Sequence, residues 1–299
     1  MLAEKTYILE RGYSLSSRII DYALFIKLRL SSLVVFSAAL GFIIASDTIL
    51  WSKLLWLIAG GFLVTGSSNG FNQILERDLD KLMSRTANRP LPQGRMNMNE
   101  AMVLASIMGI AGIMILWSFM NPLSALLGTI ALLLYTMAYT PLKRKTPFAV
   151  FIGAFPGAIP PLLGCVAATN GFGHISYLAW TLFTIQFIWQ FPHFWAIAWV
   201  LDEDYKKAGF QMLPSGDRNK STAFQILVYT LFLLPISLLP VIFHFSGSIS
   251  AVVISACGIL FVYQAYNLFI SCTVKAASQL MFGSFIYLPV VQLAIMFGR

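Results

Sequence analysis

The chain has 299 residues, 58% of them hydrophobic and 11% charged, with a net charge of +8; soluble domains run at about 45–50% and about 25%. The excess lies in apolar blocks of about 20 residues, the length a helix needs to cross a hydrocarbon core about 30 Å thick. These figures exclude a soluble enzyme, a disulfide-built secreted scaffold and a disordered tail.

The opening stretch MLAEKTYILERGYS has no apolar core before a small-residue cleavage site, and Glu4 and Glu10 do not suit an acid-poor transit peptide. No cleaved targeting segment is expected. From there the apolar stretches predict nine spans, at 22–46, 51–75, 101–119, 122–140, 148–168, 177–200, 223–243, 249–270 and 279–297. Asn121-Pro122 divides one overlong apolar run into a tight helical hairpin. Pro160-Pro161 and Pro289 fall inside spans and predict kinks rather than boundaries. Cys165, Cys257 and Cys272 have apolar surroundings without metal-ligand spacing and read as packing residues. His174 and His244 fall in or near loops at the end of the bundle poor in basic residues.

Basic residues near short loops remain on the cytoplasmic side. Lys5, Arg11, Arg18, Lys27 and Arg29 lie at or before the first span, and Arg77, Lys81, Arg85, Arg89 and Arg95 follow the second. Lys143, Arg144 and Lys145 follow the fourth, Lys206, Lys207, Arg218 and Lys220 the sixth, and Lys275 the eighth. That puts 18 of the 20 on one side, leaving Lys53 and Arg299 on the other. The expectation is an all-α membrane protein, a single domain over 1–299, with about nine transmembrane helices bundled around a cytoplasm-facing cavity and a cytoplasmic N terminus. The net charge reflects this topology and attraction to anionic lipid, and gives no reason to invoke nucleic acid.

Acids add nothing to that topology signal, yet seven of them form two clusters. Glu76, Asp78 and Asp80 close the second span; Asp202, Glu203, Asp204 and, slightly later, Asp217 close the sixth. Four spans separate the clusters, which hints at two related halves. Asn72, Glu76 and Asp80 recur every four positions and so share one helix face. Hard divalent cations such as magnesium take carboxylate and amide oxygens and are shared with substrate phosphates, so this stripe suits a magnesium diphosphate. Asp78 points to the opposite face and joins the site only if the helix unwinds there. In the second cluster His193, Ile197 and Asp204 lie near one face, with Asp202 about 160° from Asp204, so one of the two acids faces the cavity. Arg85, Arg89, Lys143, Arg144, Lys206 and Lys207 offer the point charges and forked donors that phosphate oxygens accept.

The stripe Asn72-xxx-Glu76-xxx-Asp80 with Arg85-Thr86 and Arg89-Pro90-Leu91, the loop from Tyr135-Thr136 through Leu142-Lys143-Arg144-Lys145-Thr146, and Asp204-Tyr205 with Gly209 resemble the membrane prenyltransferase superfamily that includes 4-hydroxybenzoate prenyltransferases. Lys27 and Arg29, Gly157-Ala158 with Pro160-Pro161, Gln190-Phe191-Pro192-His193-Phe194-Trp195, Ala208-Gly209 with Met212-Leu213-Pro214, and Tyr287-Leu288-Pro289 are similar to its heme-modifying branch, the protoheme IX farnesyltransferases. The likeness covers nearly the whole chain. It departs at Glu76, where the superfamily usually has aspartate, at Leu28, where proline is frequent, and at His193, which stands near an acid of quinone-type members.

The resemblance implies transfer of farnesyl from farnesyl diphosphate to the ring A vinyl group of heme B, with addition of water and release of diphosphate. It implies catalytic roles for Asn72, Glu76, Asp80, Asp204 and His193, and magnesium held by Asn72, Glu76, Asp80 and Asp204, with Asp78 and Asp202 as further candidates. It places substrate contacts at Arg85, Arg89, Lys143, Arg144, Lys27, Arg29, Tyr205 and Lys206, with the basic groups shared between diphosphate and heme propionates. Heme B is then a substrate, His193 a candidate iron ligand, and the setting the plasma membrane of a bacterium rather than the mitochondrial inner membrane. An association with heme A synthase or oxidase assembly stays open. The alternatives are an aromatic, quinone-type acceptor and, from another class, a secondary transporter with intramembrane acids at a repeat interface.

Overall fold

The computed structural model describes residues 15–299; Glu4, Lys5, Glu10 and Arg11 lie outside the described residues. The described residues form helices joined by turns and loops, with no strand among them. Two segments replace the single first span expected at 22–46: α1, Leu15–Phe25, and α2, Leu28–Ala45, separated at Lys27, whose φ of 50° and ψ of 59° are left-handed. The physical reason lies in the next helix, α3, Trp51–Leu75. Breaking the chain at Lys27 frees carbonyls that α1 cannot satisfy, and buried carbonyls need donors. Gln73 Nε2 donates to the carbonyls of Leu24 and Phe25 at 2.9 and 2.7 Å, while Asn69 Nδ2 and Ser31 Oγ donate to that of Ile26 at 3.3 and 2.7 Å. Two polar side chains on α3 therefore stabilise the break.

After the short turn α4, Arg77–Asp80, come α5, Met98–Ile115, extended by a π-helical turn to Met120, and α6, Pro122–Leu133, extended by a second to Tyr139 and a last turn to Leu142. The expected hairpin between them is present and has a local cause. The Asn121 carbonyl oxygen Oδ1 accepts from Ser124 N–H at 2.8 Å, capping α6, and its Nδ2 donates to the Val166 carbonyl at 2.8 Å. Then follow α7, Ala149–Ala167; α8, Tyr177–Val200; α9, Asp202–Lys207; α10, Lys220–Ser237; α11, Ser248–Ser271; and α12, Val274–Phe297. Pro160-Pro161 and Pro289 lie inside α7 and α12, as expected.

Among the described residues, eight helices are long and apolar enough to cross a membrane. The one expected span not among them, the sixth, is α8, which has 24 residues but is less apolar, because Gln186, Gln190 and His193 interrupt it and all three are buried. The burial of the two glutamines is explained by α7, the most enclosed of the spans, packed between α2 and α8. Pro161 has no N–H for the carbonyl of Gly157 four residues earlier, and Gln186 Nε2 donates to that carbonyl at 2.7 Å. Gln190 Nε2 donates to the Ala154 carbonyl at 2.9 Å. Gln186 Oε1 in turn accepts from Ser37 Oγ at 2.7 Å and Gln292 Nε2 at 3.0 Å, tying α2 and α12 to the same point. On the other face of α7, Gly41 and Gly164 let α2 approach so closely that a Cβ on either would collide with the carbonyl of Pro161 or Ala38. All three cysteines are free, with Cys165 buried against the Gly41 carbonyl.

Candidate active site

The polar residues of α3 do not stop at holding the Lys27 break. They also receive Lys27 itself, whose Nζ donates to Asn72 Oδ1 at 3.0 Å. Asn72 is buried, and its Nδ2 donates to Glu76 Oε2 at 2.9 Å and to Thr140 Oγ1 at 3.2 Å. The helix breaks at Glu76, with φ −100° and ψ 8°, yet the Glu76 N–H still donates to the Asn72 carbonyl at 3.0 Å and the Asp80 N–H to that of Glu76 at 2.8 Å. The four-residue spacing of the stripe thus survives the break. Asp78 gains nothing from it: it points outward, 69% exposed, and pairs with Arg77 and Lys81 at 3.3 and 2.8 Å.

Each buried carboxylate of the stripe faces a cation. Lys143 Nζ lies 2.6 Å from Glu76 Oε1, and Arg89 NH1 2.7 Å from Asp80 Oδ2. Asp80 is fully buried and its other oxygen, Oδ1, has no hydrogen-bond partner. Burial pushes the Asp80 carboxyl upward and Arg89 opposes this. For Lys143 burial acts downward, but Glu76 and Tyr135 outweigh it and hold the ammonium above its usual range. Lys27, with burial and the positive charges of Arg89 and Lys143 against it, is lowered to about 7.

The π-helical turn Leu134–Tyr139 sits immediately before this group. It ends at Thr140-Pro141, delivering Thr140 to Asn72 and Lys143 to Glu76; such turns recur at functional sites. Arg29, Arg85 and Arg144, expected as substrate contacts, have exposed side chains and do not enter the buried group.

The second acidic cluster repeats the backbone of the first. Leu201 ends α8 with φ −99° and ψ 13°, much as Glu76 ends α3. Its chemistry differs. Asp202 is buried, 3.0 Å from Lys206 and 3.6 Å from Arg218, and lines a cavity of about 240 Å³ with Tyr205, Lys206, Phe210 and Gln211. Asp204 is half-buried and reaches the first half: its Oδ2 accepts from Ser84 Oγ at 2.7 Å and Arg85 N–H at 3.4 Å, and its Oδ1 faces Lys207 at 3.0 Å. The Ser84 hydroxyl and Lys207 hold the Asp204 carboxyl down at about 2. No hydrogen bond or ion pair joins Asp204 to Glu76 or Asp80, and among the described residues no three His, Cys, Asp or Glu side chains gather as a metal site.

His193 stands apart on α8, in an aromatic setting. Its ring stacks on Trp189 at 4.3 Å and meets Phe285 edge-on at 5.1 Å. Ser284 Oγ gives its one proton to the Met281 carbonyl at 2.6 Å, so its 2.7 Å contact with His193 is donated by Nδ1–H. That leaves Nε2 as the acceptor nitrogen. Sequence reasoning missed Thr140, Ser84, Ser284 and Phe210; the one advance signal was Gly209 beside Phe210, which has φ 70°.

The sequence profile of the UbiA prenyltransferase family matches residues 34–288. A protein named protoheme IX farnesyltransferase, from Cytophaga hutchinsonii, is 50% identical over 275 residues, covering 91% of this chain and 95% of its own. Among solved structures, digeranylgeranylglyceryl phosphate synthase superposes with a TM-score of 0.78 at 23% identity, covering 94% of this chain and 98% of its own. A UbiA homolog from Archaeoglobus fulgidus bound to GPP and Mg2+ superposes with a TM-score of 0.70 at 14% identity, covering 93% and 99%. Both structures share the fold.

Proposed function

Because the chain belongs to the UbiA prenyltransferase family and is a multi-span membrane prenyltransferase, we propose that it transfers the farnesyl group of farnesyl diphosphate to the ring A vinyl group of heme B. The product is heme O, with diphosphate released. One observation carries the anionic half of this reading: two buried carboxylates and an amide on one helix face, met by Lys27, Arg89 and Lys143. The names of the relatives supply the farnesyl and heme half.

Magnesium fits the donor set. Asp80 Oδ1 is a buried carboxylate oxygen without a partner, and Glu76 and the Asn72 amide oxygen complete an all-oxygen group suited to a hard cation. These three would hold it, and when bound it stabilises the charge that grows on the leaving diphosphate. Arg89 and Lys143 bind and orient the diphosphate oxygens as fixed positive partners, and Lys27 adds a hydrogen-bond donor beside Asn72. The C1–O bond of the donor breaks with its electron pair going to diphosphate, and the vinyl π electrons form the new C–C bond. The cation left on the vinyl α-carbon takes the oxygen of water, which loses a proton. Asp204 acts through the Ser84–Arg85 turn, and Asp78 and Asp202, each on surface or cavity partners, take no part. His193 presents Nε2 to the porphyrin within a ring of aromatic side chains that excludes stray water. The charged end faces the cytoplasm of a bacterial plasma membrane, as its basic residues direct.

The test is to incubate the purified protein in detergent with heme B, farnesyl diphosphate and magnesium and to read the product mass. A magnesium-dependent farnesylated heme is expected. Folded protein that prenylates an aromatic acceptor and leaves heme B unchanged overturns the reading.

A further inference from the structure

Lys143 holds its ammonium in a buried position, with its side chain 10% exposed. One carboxylate oxygen, Glu76 Oε1, receives it, and two aromatic rings flank it: Tyr139 with its centroid 4.8 Å from Nζ, and Phe210 at 5.4 Å. Tyr139 comes from the same segment, one turn earlier. Phe210 comes from the loop after the second acidic cluster, far away in sequence. That loop is pinned where Phe210 needs it: Gly209 turns with φ 70°, Phe210 N–H donates to the Tyr205 carbonyl at 2.9 Å, and Gln211 N–H donates to the carbonyl of Lys143 itself at 2.7 Å. Phe210 also borders the cavity of about 240 Å³, which Lys143 does not line. Phe210 thus adjoins both the ammonium and the cavity.

We propose that Phe210 is a positioning residue, whose ring face holds the Lys143 ammonium at Glu76 and keeps the neighbouring cavity from hydrating it. An ammonium within about 6 Å of a ring centroid is attracted to the ring's negative face, more strongly when desolvated. An aliphatic side chain of similar bulk fills the space and supplies no such attraction. The consequence for turnover rests on the reading that Lys143 binds diphosphate; the contact itself does not.

Two measurements separate these levels. A double-mutant cycle of Phe210→Leu and Lys143→Met, followed by thermal unfolding in detergent, reads the contact alone. Non-additive midpoints are expected, with Phe210→Leu costing much less once Lys143 is Met; strictly additive midpoints overturn the proposal. Calorimetric titration with inorganic diphosphate and magnesium reads the function. Phe210→Leu is expected to weaken binding about threefold to thirtyfold, and Phe210→Trp to restore it. Equal affinities for the Leu and Trp variants, both below wild type, would mean that Phe210 only packs, and would refute positioning. If Lys143→Met leaves diphosphate affinity untouched, the diphosphate role of Lys143 falls, and the unfolding cycle still decides the contact.

Discussion

Replacing Asp80 by asparagine perturbs a carboxylate that is fully buried and 2.7 Å from a guanidinium only 14% exposed. Removing one charge of a buried pair costs about 3–5 kcal/mol, because the other is left uncompensated. Asparagine retains an oxygen for the Arg89 N–H, and Arg89 keeps some contact with water, so we place the cost near the strength of one charge-assisted hydrogen bond, about 2–3 kcal/mol. For a chain of this size that is a fall of about 5–10 °C in the unfolding midpoint. Turnover should fall at least about 100-fold, the scale on which removing a preorganised electrostatic group acts. The companion variant Asp80→Asn/Arg89→Gln separates the two effects: with the stranded charge gone, the midpoint recovers in part while turnover does not. Scanning fluorimetry in detergent and the product-mass assay read both quantities. A single variant that unfolds within about 1 °C of wild type and turns over normally would refute both the ion-pair argument and the role of the stripe.

Gly164→Ala drives a methyl into the Ala38 carbonyl on the tightest face of α7 and α2, so the unfolding midpoint falls by the equivalent of at least about 1–3 kcal/mol. Gln186→Leu leaves the Gly157 carbonyl without its donor and removes the acceptor of Ser37 and Gln292; a loss of about 1–3 kcal/mol is expected, and unchanged thermal stability would contradict it. The Asp204 carboxyl lies below its ordinary value of 3.8, at about 2, so the stability it adds is complete above pH 4 and is lost as pH falls toward 2. Asp204→Asn should remove that acid-side dependence while leaving the slope near neutrality unchanged, as acid titration followed by tryptophan fluorescence will show.

The helices and the stripe were legible because both rest on local rules. Apolar length marks a span, and four-residue spacing puts Asn72, Glu76 and Asp80 on one face even though the chain breaks at Glu76. Asp78 was read as pointing away for the same reason, and it does. The first span failed the same rules because the break at Lys27 is set by Asn69 and Gln73, about 45 residues onward in the chain. Basic residues were the hardest to sort. Lys27, Arg89 and Lys143 enter the site while Arg29, Arg85 and Arg144 stay outside, and sequence gives each the same charge. What distinguishes them is which carboxylate or amide lies within reach after folding. The contact between Phe210 and Lys143 was invisible because no periodicity relates a loop after one helix to a loop after another.

The Gln186 junction carries a consequence for biosynthesis. Its oxygen accepts from Ser37, made long before it, and from Gln292, which is synthesised 106 residues later. A helix with two glutamines and a histidine inserts poorly by itself, since each polar group left among lipid chains is costly. While α8 leaves the ribosome it can borrow the α7 carbonyls already in place, but its last donor arrives only with the final span. Release of a finished bundle into the bilayer is therefore tied to completion of the polypeptide. A truncation before Gln292 should leave α8 exposed to quality-control proteolysis even though every residue that touches substrate in the proposed reaction has been made.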